Sequence, residues 1–174
     1  MRPSPISGPI RQIGYVVPDL ESALQSWLAA GVGPWFVLSN LTQRAQYRGS
    51  TCEVNCSIAL ANSGPLQIEL IQQHDDTPSV YTEFLADGEG FHQLAYWPED
   101  FDAALDAVEK AGWPVLWRGG EDSGVPYAYV EPPGGPAAVI ELMELNDVTR
   151  GLAQLVGDAA ESWDGSTDPI RAMN

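Results

Sequence analysis

Positive charge is scarce in this 174-residue sequence: 8 Lys and Arg stand against 24 Asp and Glu, and Lys110 is the only lysine. Contacts to a phosphate backbone need clustered basic residues, so nucleic acid and anionic membrane surfaces are excluded as partners. A multiply phosphorylated substrate is disfavoured on the same ground. The net charge of −16 is spread along the chain and serves solubility. Long apolar runs are missing too, since nothing approaches the ~18 residues needed to cross a bilayer. Met1-Arg2-Pro3-Ser4-Pro5 leads into no apolar stretch, so no secretory signal is expected and a cytoplasmic location follows by default. Cysteine is limited to Cys52 and Cys56. Four apart in an expected strand, they stand roughly 13 Å from one another, too far for a disulfide, and they read as core thiols.

What the chain does have is apolar content, 44%, enough for one sizeable core. It also has an internal repeat. Gln12-Ile-Gly-Tyr-Val-Val-Pro-Asp19-Leu-Glu-Ser-Ala-Leu24 aligns with Gln93-Leu-Ala-Tyr-Trp-Pro-Glu-Asp100-Phe-Asp-Ala-Ala-Leu105 at one constant offset. The match continues through Ala30-Gly31 and Ala111-Gly112, and each half closes on the same tripeptide, Ile68-Glu69-Leu70 and Ile140-Glu141-Leu142. A duplicated unit accounts for all of these coincidences, in order.

Each unit reads as strand, helix, then three strands. The first strand ends at Val17 or Trp97, and Asp19 or Asp100 caps the helix that follows. Leu20, Leu24, Trp27 and Leu28 form the apolar stripe of the first helix; Phe101, Ala104, Leu105 and Val108 form that of the second. Gly31 and Gly112 supply the left-handed residue that closes each helix. The remaining strands are expected near 35–41, 51–60 and 66–72, and near 114–118, 125–131 and 137–143. The polar linker 74–90 has room for a helical turn or two at 79–85, and a short helix is expected at 147–156 before a polar tail. The reading is one α+β domain over 1–145: two tandem βαβββ modules, 10–73 and 91–144, forming a cupped mixed β-sheet with helices on its outer face. Residues 146–174 form the C-terminal helix and tail.

Strand alternation assigns the faces. Ile13, Tyr15 and Val17, with Ile68 and Leu70, and Ile140 and Leu142, face the helices. The opposite face carries Gln12, Glu69, Gln93 and Glu141 among Gly14, Val16, Ile71, Ala95, Trp97 and Met143. A few polar groups in an apolar lining is how small-molecule pockets are built. Gly14, Val16, Asn55, Ile71, Trp97 and Met143 are the expected pocket walls. By the same alternation His92 points to the helix side with Leu94 and Tyr96.

The pattern Ile-Gly-Tyr-Val-Val-Pro-Asp-Leu-Glu-Ser-Ala, the central Ile-Glu-Leu and the closing Val-Ile-Glu-Leu resemble the vicinal oxygen chelate superfamily, most of all its glyoxalase and methylmalonyl-CoA epimerase branch. The resemblance covers about residues 10 to 145. It implies a divalent metal held by one residue from each of four strands, here Gln12, Glu69, Gln93 and Glu141, with His92 as the alternative to Gln93. An all-oxygen set suits Mg²⁺, Mn²⁺ or Ca²⁺ better than Zn²⁺, and absence of a metal stays open. The resemblance further implies a homodimer and a small-molecule substrate.

Two classes of function follow. One is an isomerase, epimerase, lyase or dehydratase that moves a proton on a small, largely hydrophobic carbonyl compound, with Glu69 and Glu141 as proton carriers. The other is a non-catalytic protein of the bleomycin-resistance type that sequesters a small molecule between aromatic walls. Ring cleavage by a two-histidine iron centre is excluded, because His74 and His92 are the only histidines and His74 lies in the polar linker.

Overall fold

The computed structural model describes residues 4–173. The elements run β1 (Gln12–Val16), α1 (Leu20–Ala29), β2 (Trp35–Tyr47), β3 (Ser50–Ser63), β4 (Leu66–Gln73) and α2 (Val80–Asp87) in the first part. They continue as β5 (Gly90–Tyr96), α3 (Phe101–Lys110), β6 (Val115–Gly119), β7 (Tyr127–Val130), β8 (Val139–Met143), α4 (Asp147–Ser162) and β9 (Ile170–Met173). The βαβββ unit therefore occurs twice. The caps act as expected: Asp19 accepts the Ser22 amide at 3.1 Å and Asp100 the Ala103 amide at 2.9 Å. Gly31 and Gly112 both take φ +82° just beyond their helices.

β1 pairs parallel with β4, β5 pairs parallel with β8, and β1 and β5 join the two modules antiparallel. The strand order is β3-β4-β1-β5-β8-β7-β6-β2-β9, and β2 pairs with β3 as well. The cupped mixed sheet is thus closed on itself through β2. Closure comes from the length of β2, which runs past Leu41 through the polar stretch Thr42–Tyr47. A two-residue turn, Arg48 (φ +47°) and Gly49 (φ +81°), returns it into β3, the left-handed pair that a tight hairpin requires. The far edge of β2 is divided: Trp35–Leu38 takes β9, and Ala45–Tyr47 takes β6. The expected polar tail accordingly ends in a paired strand.

α1 covers one side of the barrel through Leu20 and Leu24 against Ile68 and Leu70. α3 covers the other through Phe101, Leu105 and Val108 against Ile140 and Leu142. α4 lies on Phe36 and Leu60 through Val156. The linker helix α2 behaves differently. Its Val80, Tyr81, Phe84 and Leu85 join Val16, Val54, Cys56, Ile71, Trp117 and Tyr129 in the cluster that fills the barrel. Burying such a side chain contributes about 1.5–3 kcal/mol, so the closed barrel is stabilised by the segment that plugs it.

Candidate functional site

Two rows of residues cross the sheet side by side. In one, β4, β1, β5 and β8 align Glu69, Gly14, Gln93 and Val139. In the next, Gln67, Gln12, Ala95 and Glu141 align, and β7 adds Tyr129. Gly14 and Ala95 are small where the polar chains must cross. A Cβ on Gly14 would stand 2.1 Å from Gln93 Cδ, so the absent side chain is what lets Gln93 lie back over β1. From there its Nε2 donates to Glu69 Oε2 at 2.9 Å and faces Glu141 Oε2 at 3.5 Å. Gln12, with its amide nitrogen turned to the acids, donates to Glu141 Oε2 at 3.2 Å and to Glu69 Oε2 at 3.3 Å. Its oxygen then faces the Gln67 amide at 2.7 Å, where a matching turn of Gln67 supplies the donor.

A β-bulge sets the place of His92. The register passes from Gly14↔Gln93 to Tyr15↔Phe91, leaving His92 as the extra residue. Alternation would send His92 to the helix side; the bulge instead turns it inward beside Gln93. Its ring meets Phe84 edge-on at 4.9 Å and Tyr129 at 5.5 Å, and its Nδ1 hydrogen-bonds Gln93 Oε1. Burial lowers its pKa to about 4, so it is neutral at pH 7.

The expected pocket walls separate. Gly14 underlies Gln93. Val16 and Ile71 are in the filled interior with Tyr81. Trp97 is buried beyond the end of β5, and Met143 sits half-buried opposite Tyr127. Asn55 is a correction: Val54 and Cys56 point inward, so Asn55 between them faces out of the barrel, near Asp75, which accepts its backbone N–H. The interior instead gains an aromatic wall that was not anticipated. Trp117 Nε1 donates to Tyr127 Oη at 2.9 Å, Tyr127 donates to Gln43 at 3.3 Å, and the Tyr81 and Tyr129 hydroxyls meet at 3.1 Å. The alternation Tyr127-Ala128-Tyr129-Val130 was the signal for two of these residues.

Electrostatically the acids are a pair of unequal access. Glu141 is 4% exposed, whereas Glu69 is only half-buried. Loss of water raises Glu69 to about 7, opposed by the Gln93 hydrogen bond. Glu141 is held well above the carboxylate range by burial and then by the charge of Glu69, again opposed by Gln93. Burial also holds the Tyr81 and Tyr129 hydroxyls protonated.

A cation shared by the two carboxylates would need oxygen atoms around it. Gln93 turns nitrogen to the acids and oxygen to His92. Gln12, Glu69, Gln93 and Glu141 so arranged satisfy one another by hydrogen bonds, and with both amides turned to present oxygen the same four would supply the all-oxygen set of a hard divalent cation. Among the described residues no group of three or more His, Cys, Asp or Glu is placed to hold one. No described helix is long and apolar enough to cross a membrane.

Comparison with known proteins agrees with this architecture. The family model for the glyoxalase/bleomycin resistance protein/dioxygenase superfamily matches residues 11–129. A hypothetical protein from Bacillus halodurans C-125 has a similar structure, with a TM-score of 0.59 and 18% identity over 80% of this chain and 95% of its own. A variant of Streptomyces coelicolor methylmalonyl-CoA epimerase in complex with 2-nitronate-propionyl-CoA gives 0.55 and 23%, over 80% of this chain and 95% of its own. Methylmalonyl-CoA epimerase from Mycobacterium tuberculosis gives 0.55 and 20%, over 80% and 89%. At these identities the structural likeness concerns the fold. No curated protein matches the sequence.

Proposed function

The chain belongs to the glyoxalase/bleomycin resistance protein/dioxygenase superfamily, and from that premise we propose that it is an enzyme moving a proton on a small carbonyl compound, with Glu69 and Glu141 as base and acid. One observation carries the reading: two carboxylates that burial has raised meet a single amide nitrogen inside a barrel walled by aromatic and apolar side chains. Two acids pushed to unequal pKa values supply an acid and a base at one pH. Glu69, the more open of the two, ionises first and takes a proton from the carbon next to the carbonyl. The electron pair of that C–H bond becomes a C=C bond, and the π pair of the carbonyl moves onto its oxygen. Glu141, kept neutral, donates a hydrogen bond to the oxygen as charge develops there. Return of the proton to the same or the opposite face, or loss of a neighbouring leaving group, gives isomerase, epimerase, lyase or dehydratase chemistry. The amides of Gln12 and Gln93 hold the carboxylates in place; were a hard divalent cation held by Gln12, Glu69, Gln93 and Glu141, it would supply stabilisation of the developing negative charge.

Tyr81 on α2 fills the barrel beside Tyr129, the neighbour of the closed-off Glu141 across the sheet, so withdrawal of this helix is the access route of the reading. The CoA ligand of the structural neighbour is not carried over. Arg44, Arg48 and Arg118 are each held by acidic side chains, leaving little to meet several phosphates. The site draws on both modules of one chain, so its chemistry does not need the second copy that the family resemblance implies.

A second reading, sequestration of a small molecule, is favoured by the aromatic wall of Trp117, Tyr127 and Tyr129. Solvent deuterium distinguishes the two. In D₂O, a panel of small ketones, aldehydes and 2-oxo acids is expected to exchange α-hydrogens with the wild type and not with the Glu69→Gln/Glu141→Gln double variant. Saturable ligand binding without exchange in the wild type would favour sequestration.

A further inference from the structure

In a chain with three acids for every base, an unattached cation stands out. Arg44, Arg48, Lys110, Arg118, Arg150 and Arg171 each have a carboxylate oxygen within 4.0 Å. Among the described residues Arg11 is the one basic side chain without such a partner, and its guanidinium makes no hydrogen bond to protein. It lies 5.1 Å from the ring centroid of Trp97. Trp97 is 9% exposed, and its Nε1–H is buried without an acceptor. A buried donor left unpaired is costly, and native interiors tolerate few of them. Here the unmet indole N–H and the unmet guanidinium occur side by side.

Their position connects them to the acids. Arg11 directly precedes Gln12, and its backbone N–H donates to Ala95 at the end of β5. Trp97 lies two residues beyond Ala95, just past the end of β5, and Ala95 pairs with both Gln12 and Glu141. Both donors therefore sit at the end of the sheet that carries the amide-bridged carboxylates. The guanidinium over the indole keeps its N–H groups free of protein acceptors, and a guanidinium grips a carboxylate with two parallel bonds.

We propose that Arg11 and Trp97 form an anion site that binds the carboxylate of a small organic acid. As the anchor for a substrate it rests on the proton-transfer reading, and it narrows that substrate to a carbonyl compound bearing a carboxylate. Arg11 supplies the charge and the indole N–H supplies a third hydrogen bond.

The test follows the indole N–H resonances of ¹⁵N-labelled protein during titration with propionate, its neutral isostere propionamide, and inorganic phosphate. The Trp97 signal is the one missing from Trp97→Phe. Propionate is expected to move it saturably while propionamide leaves it in place. Arg11→Gln should weaken the response by about tenfold or more, the scale of a lost charged hydrogen bond, and Arg11→Lys should keep part of it. A Trp97 signal that ignores propionate overturns the site, as does an equal response to propionamide. Tighter binding of phosphate overturns the carboxylate class. None of these readouts requires turnover. Propionate binding with no α-hydrogen exchange on any panel compound would remove the proton-transfer reading alone, and exchange without propionate binding would remove the anchor alone.

Discussion

Glu69 and Glu141 share one amide nitrogen: Gln93 Nε2 lies 2.9 Å from the first and 3.5 Å from the second. Its donation stabilises both ionised forms and so holds both pKa values down against burial. Gln93→Met keeps the volume and removes the donor. Both acids should then ionise later, and the alkaline-rising limb of the pH–rate profile should move up by about one unit. Exchange at neutral pH should fall by roughly tenfold. A profile fixed in position would separate Gln93 from the acids.

Glu69 also predicts how stability depends on pH. Its folded pKa, about 7, lies above the ordinary 4.5, so folding takes up a proton across that interval. This contribution is complete below pH 4.5, declines as pH rises towards 7, and is constant above. Glu69→Gln has no proton to lose. Urea unfolding should show the variant gaining on the wild type between pH 4.5 and 7, by on the order of 1–3 kcal/mol. Parallel stability curves for the two proteins would contradict the shift.

Gly14→Ala tests the crossing. The added methyl meets the far end of Gln93 rather than backbone, so the amide can move aside and the fold should survive, with melting within a few degrees of wild type. The bridge to Glu69 should be lost, and exchange should fall as in Gln93→Met. Unchanged exchange would mean that the position of the amide is irrelevant.

The helix α2 has an outer latch. Glu83 on α2 accepts from Arg48 at 2.6 and 3.2 Å and from the Tyr47 hydroxyl, tying the helix to the β2–β3 turn. Both charged side chains are about half exposed, so the pair adds at most about 1 kcal/mol to global stability. Glu83→Ala should leave melting nearly unchanged while amide hydrogen exchange within 80–87 accelerates. Equal protection of those amides would show that α2 is held by its buried face alone.

Much of the fold was legible because duplication repeats it. The two aspartate caps, the glycine helix ends and the period-two strands recur in register, and each supports the other. Convergence of Gln12, Glu69, Gln93 and Glu141 followed from the same alternation. His92 could not be placed that way, since a bulge is a property of two strands and only the pairing with β1 reveals it. Barrel closure was hidden for a related reason. Thr42–Tyr47 is polar at nearly every position, and its partner β6 is distant in sequence. The inward turn of α2 was hidden as well, because Val80, Tyr81, Phe84 and Leu85 form an apolar stripe that says what is buried but not beneath which sheet.

The central claim, that Glu69 and Glu141 move a proton, is met most directly by measuring α-hydrogen exchange with D₂O in the wild type, Glu69→Gln and Glu141→Gln. Glutamine keeps the shape and most hydrogen bonding and removes the titrating group. Each single variant should stay folded and lose about 10²-fold or more of the wild-type exchange rate, the usual scale for a lost general acid or base. Equal rates in all three proteins would contradict the account and remove both carboxylates from the chemistry.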